Sequence, residues 1–175
     1  MAGSKSDIQV GSVVDIAFGA TGIADPANPT AAEINQLTRI ECDIAGDANV
    51  STPRSGNTVD ISALCELETY EVPTTIVNGR IVIPFHRYLG AGVDDVAWDL
   101  FDDSINPRPE THLVIARGGF SGAGTPAVAA AGDIVDVYTT KVIVRMEQDI
   151  GKETKQQGTV ELSVINREPG VTVVA

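Results

Sequence analysis

The chain has 175 residues, enough for one domain with a hydrophobic core and too few for two comfortable ones. Hydrophobic residues make up 43% of it, which excludes a wholly disordered protein, and its 17 glycines and few aromatics favour strands and loops. Its 24 acidic and 12 basic residues give a net charge of −12, which argues against a nucleic-acid-binding protein, because phosphate contacts need Lys or Arg.

Residues 1–30 predict an extended N-terminal arm, because they are rich in Gly, Ala, Asp and Pro with only scattered apolar residues. Residues 1–10 are polar and charged, so no signal peptide is expected, and no apolar run approaches the roughly 18 residues of a membrane helix. The capping-box pattern from Thr30 to Glu33 then predicts a short helix with Ile34 and Leu37 on its inner side.

Alternating polar and apolar residues predict the next strands. The alternation over residues 38–44 predicts a half-buried strand, residues 45–58 predict a polar loop, and the alternation resumes at residues 59–65. Cys42 and Cys65 occupy apolar positions of these two runs, so both are expected to be small buried hydrophobes. A disulfide between them remains open, although two cysteines do not make a secreted disulfide framework.

A hairpin is the clearest local prediction. Two strand-like runs, residues 70–77 and 80–88, flank the pair Asn78-Gly79, which favours a type I′ turn because both central residues take positive φ. Pro84 lies inside the second run and predicts an edge strand or a bulge there, because proline cannot donate to a ladder.

The pattern changes to a helical period at residues 93–103. One apolar stripe repeats at the spacing of a short amphipathic helix packed on a sheet: Val93, Val96, Ala97, Leu100 and Phe101. Five acidic residues cover the rest of the helix: Asp94, Asp95, Asp99, Asp102 and Asp103. A calcium site among them is disfavoured, since the order of an EF-hand loop is missing and helical spacing spreads the carboxylates.

The second half of the sequence predicts further strands. Residues 111–117 form one, residues 118–132 a flexible Gly/Ala surface loop, residues 134–146 a long strand with a register change, and residues 158–167 a cleanly alternating strand. The fold is therefore expected to be mainly β, a β-sandwich or partial barrel over residues 31–168. One flanking amphipathic helix, a short N-terminal helix and a C-terminal tail at residues 169–175 complete it.

Signatures of catalysis or cofactor binding are weak. His86 and His112 stand alone in strands, with no metal-ligand spacing around them. The Gly119–Ala123 stretch lacks the second glycine of a nucleophile elbow around Ser121. Residues 122–127 fit a loose dinucleotide fingerprint, but no full helix follows. The sequence therefore predicts no enzyme and names no catalytic, cofactor-binding or metal-binding residue.

Short phrases in a fixed order carry a resemblance over residues 30–167. They are the opening helix at residues 30–38, Asn57-Thr58-Val59-Asp60 before Leu64-Cys65, the hairpin, Asp94-Asp95-Val96-Ala97-Trp98-Asp99-Leu100-Phe101, the strand at residues 113–117, and Ala131-Gly132-Asp133-Ile134-Val135. In this order the chain resembles the major tail proteins, or tail tube proteins, of long-tailed, siphovirus-like bacteriophages.

The resemblance implies a structural virion protein. Members of that family form rings of six, whose inner sheets join into one β-barrel, and the rings stack into a tube through which the genome is delivered. The implied partners are further copies of the chain, the tape-measure protein, the tail terminator and the distal tail protein, with double-stranded DNA only in transit and no membrane. The implied location is the phage tail, assembled in the host cytoplasm. A net negative chain suits a channel that DNA crosses without electrostatic capture.

Two other classes stay open at this stage. One is another phage ring or coat component, such as a tail-terminator, head–tail joining or decoration protein. The other is a monomeric β-sandwich binding module, for example for carbohydrate. Scarce aromatics argue against the second, because sugar platforms need exposed aromatic faces and Trp98 lies on the predicted helix.

Overall fold

The computed structural model describes residues 15–20, 22–44, 54–61, 70–87, 95–147 and 156–175. These parts contain two short helices, α1 (Ala31–Ile34) and α2 (Val96–Leu100). They also contain the strands β1 (Asp15–Gly19), β2 (Thr38–Arg39), β3 (Arg54–Ile61), β4 (Tyr70–Asn78), β5 (Arg80–His86), β6 (Thr111–Ala116), β7 (Ile134–Glu147) and β8 (Gln157–Thr172). The mainly β fold class is therefore confirmed.

Six strands form one antiparallel sheet in the order β2-β1-β6-β7-β8-β5, and β3 and β4 form a second sheet. The large sheet curls strongly. In a flat sheet β1 and β5 would lie four spacings, or about 19 Å, apart. Instead, the ring centroid of Phe101 lies 4.8 Å from that of Phe18 on β1 and 5.4 Å from that of Phe85 on β5. The result is a partial barrel, as the sequence predicted.

Apolar residues fill both faces of the curled sheet. The inner core lies inside the curl and contains Phe18, Phe85 and Phe101 together with Leu113 and Leu162. The outer core lies on the other face of β1, β6 and the first half of β7, beneath α1. Its buried members include Ala17, Ile34, Val114, Phe120 and Val137. Strict alternation along β1 and β6 supplies residues to both cores.

α1 begins as the sequence predicts. Thr30 is its N-cap, and the reciprocal bonds of a capping box join Thr30 and Glu33. Backbone hydrogen bonds from Ala24 and Thr30 hold the pKa of Glu33 below its ordinary value. Ile34 and Leu37 are both buried in the outer core, which confirms the predicted inner side.

α2 is shorter than predicted, and its apolar face is rotated. Ala97 and Phe101 are buried and Leu100 is half-buried, but Val96 is 40% exposed, so its place on the predicted stripe is wrong. Trp98 packs against the inner core in its stead. The helix spans little more than one turn, so neighbouring arginines at Trp98 decide its rotation. Val93 and Asp94 lie outside the described residues.

The predicted hairpin is wrong. β4 pairs with β3 and β5 pairs with β8, so the two runs around Asn78-Gly79 belong to different sheets. Neither Asn78 nor Gly79 has the positive φ of a type I′ turn. The prediction that Pro84 marks an edge strand is confirmed, because β5 ends the large sheet. Tyr88 lies outside the described residues.

The strand predicted at residues 38–44 is interrupted. β2 ends at Arg39, the N–H of Ile40 donates to the carbonyl oxygen of Ile16 on β1, and a turn leads to Ile44, which bridges to Phe85 on β5. This segment links the two ends of the curled sheet. The turn exposes Cys42 as a free thiol, so its predicted burial is wrong; Cys65 lies outside the described residues.

Other expectations changed where long-range pairing overrides local pattern. Residues 54–58 belong to β3, although they were predicted as loop, because pairing with β4 satisfies their backbone. The register changes predicted in β7 are confirmed as bulges. β8 runs on to Thr172, and the buried Val173 follows. Asp15–Gly19 form the fully buried β1, so the extended arm remains a prediction for residues 1–14, which lie outside the described residues.

Candidate assembly surface

The outer edge of β5 is open over most of its length. β8 pairs with the inner edge of β5 from Arg80 to His86. On the outer edge, the N–H of His86 donates to the carbonyl oxygen of Asp43 at 2.7 Å, and Ile44 bridges to Phe85. No other strand of the described chain pairs with this edge. Residues 80–84 therefore form what we call the free edge.

The direction of each backbone group on this edge follows from His86. Successive N–H groups of an antiparallel strand point to alternate edges, so residues of the same parity as His86 face outward. The N–H groups of Arg80 and Val82 therefore point away from β8, whereas Pro84 has no N–H to offer. The free edge offers donors at two positions and ends at a proline, which limits how far another strand can pair.

One face of the same strands is also uncovered. Paired residues of an antiparallel sheet share a face, and the register places three rows across β5, β8 and β7. We call this surface the open face; its residues are Arg80, Ser163 and Lys141, then Val82, Glu161 and Val144, then Pro84, Thr159 and Met146. Val82 is 43% and Met146 is 42% exposed. Charge on the open face is partly paired, since Arg80 Nη1 lies 2.9 Å from Glu161 Oε2.

Close packing fixes β5 onto β8 beneath this face. Gly158 lies opposite Phe85 in the register. A Cβ at Gly158 would lie 2.6 Å from Phe85 Cζ and 2.9 Å from Cε2, which real Cβ contacts do not reach. The ring of Phe85 is fully buried against Phe101 and Trp98. Glycine at position 158 thus lets the edge strand sit close to its neighbour.

Two arginines hold α2 against the ends of β5 and β7. The guanidinium carbons of Arg87 and Arg145 lie 3.5 Å and 4.0 Å from the ring centroid of Trp98. Asp95 and Glu147 both bond to Arg87, and the carboxylate of Asp103 accepts a bond from the Arg145 backbone at 3.0 Å. The predicted acidic face of the helix is therefore engaged in ion pairs with these arginines.

The 118–130 loop was predicted to be flexible, but buried acids hold it. Asp15 accepts a hydrogen bond from the Phe120 backbone at 2.7 Å, and Asp133 accepts bonds from the Ser121 and Ala130 backbones at 3.1 and 2.9 Å. Burial works to raise the pKa of Asp133, but these hydrogen bonds outweigh it and hold the pKa below the ordinary value. Asn35 of α1 adds a pair of bonds to Ala129.

The residues considered for chemistry remain apart. His86 and His112 lie on β5 and β6, and burial lowers the pKa of His112. Ser121 is exposed on the held loop, and its backbone bonds to Asp133. Within the described residues, no group of three or more His, Cys, Asp or Glu side chains could hold a metal ion. The same parts of the chain contain no helix long and apolar enough to cross a membrane.

A curled β domain with a free edge belongs to the class of structural proteins that bury their edges by assembly. The family model of the phage tail tube protein matches residues 5–175, and the chain belongs to that family. It is a structural component of the phage tail, and the family implies assembly with itself and with other tail components.

A solved structure has the same fold. It is a chain of the anti-feeding prophage (AFP) baseplate, determined by cryo-electron microscopy with six-fold symmetrisation. The TM-score is 0.57 at 11% identity, and the match covers 96% of each chain. At this identity the likeness shows the fold alone. No curated protein matches the chain.

Sequence reasoning named no site residues, and the free edge could be found only in part. Pro84 was a correct signal that β5 is an edge strand. Which residues of β5 face outward depends on pairing with β8, about 80 positions further on.

Proposed function

We propose that the protein forms hexameric rings that stack into the phage tail tube, the conduit for genome delivery. The free edge of β5 carries this proposal, because an unpaired strand edge of this kind is a template for pairing with another chain. In a ring, each free edge would pair with a strand of the next copy, so that the large sheets continue around a channel. A rotation that closes makes such a head-to-tail contact a ring.

The second sheet supports the same arrangement. β3 and β4 pair with each other, and neither joins the large sheet within the described chain. Each ring subunit would therefore supply both an edge that lacks a strand and strands that lack a sheet. The likeness to a baseplate chain with six-fold symmetrisation supports six copies per ring.

The net charge supports a role for DNA in transit without tight binding. With a net charge of −12 the chain has a deficit of the Lys and Arg residues that hold phosphates. We expect a channel of net negative charge through which DNA slides. The tape-measure protein, the tail terminator and the distal tail protein would set the length and the two ends of the tube, assembled in the host cytoplasm.

A proline substitution tests the free edge without touching the ladder to β8. Val82→Pro removes an outward N–H, whereas Val82→Ala keeps that N–H and removes most of the same side chain. We expect both variants to fold by circular dichroism, Val82→Ala to assemble, and Val82→Pro to stay monomeric in sedimentation. Assembly of Val82→Pro equal to that of Val82→Ala would show that the free edge is not the ring contact.

A further inference from the structure

A second feature suited to assembly lies on the opposite part of the fold. Between α1, β2 and the 118–130 loop there is a pocket of about 350 Å³, which we call the loop pocket. Its lining is mainly apolar and includes Ile34, Leu37, Phe120, Pro126 and Val128. Val128 is 39% exposed at its rim.

The loop pocket is preformed, because its walls are tied together. Arg39 donates to the carbonyl oxygen of Ala127, and its guanidinium lies 4.9 Å from the ring centroid of Phe120. Gly122 bonds back to Val128, and a Cβ at Gly122 would lie 2.6 Å from the Val128 carbonyl oxygen. Together with the bonds between Asn35 and Ala129, these contacts hold the pocket open without an occupant, which lowers the ordering cost of binding.

The chain itself supplies an apolar segment at this place. The described fold begins at Asp15, whose carboxylate lies 2.6 Å from Arg39 Nη2 and accepts the bond from Phe120, and both of these partners line the loop pocket. Fourteen residues precede Asp15, with Ile8, Val10, Val13 and Val14 among them. In extended form they could reach about 45 Å.

The direction of β1 indicates which copy this segment serves. Ala17 lies opposite Arg39 and Phe18 opposite Thr38, so the pocket extends along β2 and α1 towards the Gly19 end of β1. The polypeptide enters at the Asp15 end, so a segment upstream of Asp15 would have to reverse to fill its own pocket. The same segment from another copy needs no reversal.

We propose that the loop pocket binds residues 8–14 of a neighbouring copy, in the next ring of the tube. Apolar side chains such as Ile8 and Val10 would pack on Leu37, Phe120 and Val128. Because segment and pocket lie on one chain and face different ways, the contact is head-to-tail and propagates without closing. This inference rests on the proposed tube and assigns the stacking contact, while the free edge makes the ring.

Two substitutions at matched exposure test the pocket. Val128→Asp places a charge at its rim, and Val96→Asp places one on α2 at nearly the same exposure, 39% against 40%. We expect Val128→Asp to give single rings and at least a tenfold loss of tubes counted by electron microscopy, while Val96→Asp forms tubes normally. Tubes of Val128→Asp in normal number would overturn the stacking role.

Cross-linking identifies the occupant. In a Cys42→Ser background, Val10→Cys chains mixed with Val128→Cys chains and treated with a short bis-maleimide should give covalent dimers within tubes. Val10→Cys mixed with Val96→Cys is the control and should give none. Tubes without the specific dimer, or a Val10→Cys/Val128→Cys chain linked only to itself, would overturn this inference alone. A protein that never forms tubes would contradict the proposed function, and this inference with it.

Discussion

Gly158→Ala should destabilise the protein because it forces the edge strand away from its neighbour. The new methyl group would lie 2.6 Å from Phe85 Cζ and 3.3 Å from the Met146 carbonyl oxygen. Phe85 is fully buried against Phe101, so its ring cannot swing aside without disturbing the inner core. Overpacking of this kind costs about 1–3 kcal/mol. The lower chain entropy of alanine offsets about 0.5–1 kcal/mol of this cost.

A net loss of about 1–2 kcal/mol in the free energy of unfolding is therefore expected for Gly158→Ala. Gly118→Ala is the control, because a Cβ there meets nothing within 4 Å. It should be neutral or stabilise by up to about 1 kcal/mol. Urea denaturation, followed by circular dichroism at a concentration where sedimentation shows monomers, measures both.

A second substitution locates the cause. Phe85→Leu alone should destabilise the inner core, but combined with Gly158→Ala its cost should be smaller than the sum, because the clash disappears with the ring. Equal stabilities of Gly158→Ala and Gly118→Ala, or strictly additive effects in the double variant, would refute the close packing of β5 on β8.

Three further outcomes follow from the described contacts. Phe101→Ala should cost about 3–5 kcal/mol in urea denaturation because its ring is fully buried. Val96→Ala on the same helix should cost less than about 1 kcal/mol, and similar losses for both would mean that α2 is wrongly oriented. The pKa of Asp133 is lowered in the folded state, so its contribution is present above the ordinary Asp value of about 3.9 and is lost as pH falls through the folded pKa. Asp133→Asn should therefore cost about 1–3 kcal/mol near pH 7 and clearly less near pH 3, and a pH-independent cost would contradict this role of the carboxylate. A tube structure should show a channel of net negative charge, and a lining mainly of Lys and Arg would contradict that expectation.

Local chemistry was enough to predict some elements. The bonds of a capping box involve residues three apart, so Thr30 and Glu33 identified α1 directly. Pro84 identified β5 as an edge strand, since proline lacks the donor that an inner strand needs. The register changes of β7 were visible as a break in its alternation.

Other elements depended on contacts far apart in the sequence. Asn78-Gly79 favours a tight turn, but β5 buries Ile81, Ile83 and Phe85 by pairing with β8, and that pairing overrides the turn. The alternation of a strand marks its two faces but does not name its partner. The 118–130 loop was misjudged for the same reason, because Asp15 holds Phe120 across 105 positions.

Cryo-electron microscopy of the purified, assembled protein tests the central claim most directly. The account predicts stacked rings of six copies, in which the N–H groups of Arg80 and Val82 bond to a strand of the adjacent copy. Monomers at every concentration, including high salt that screens the net charge, would contradict it. Tubes in which residues 80–84 of β5 face solvent would contradict it equally.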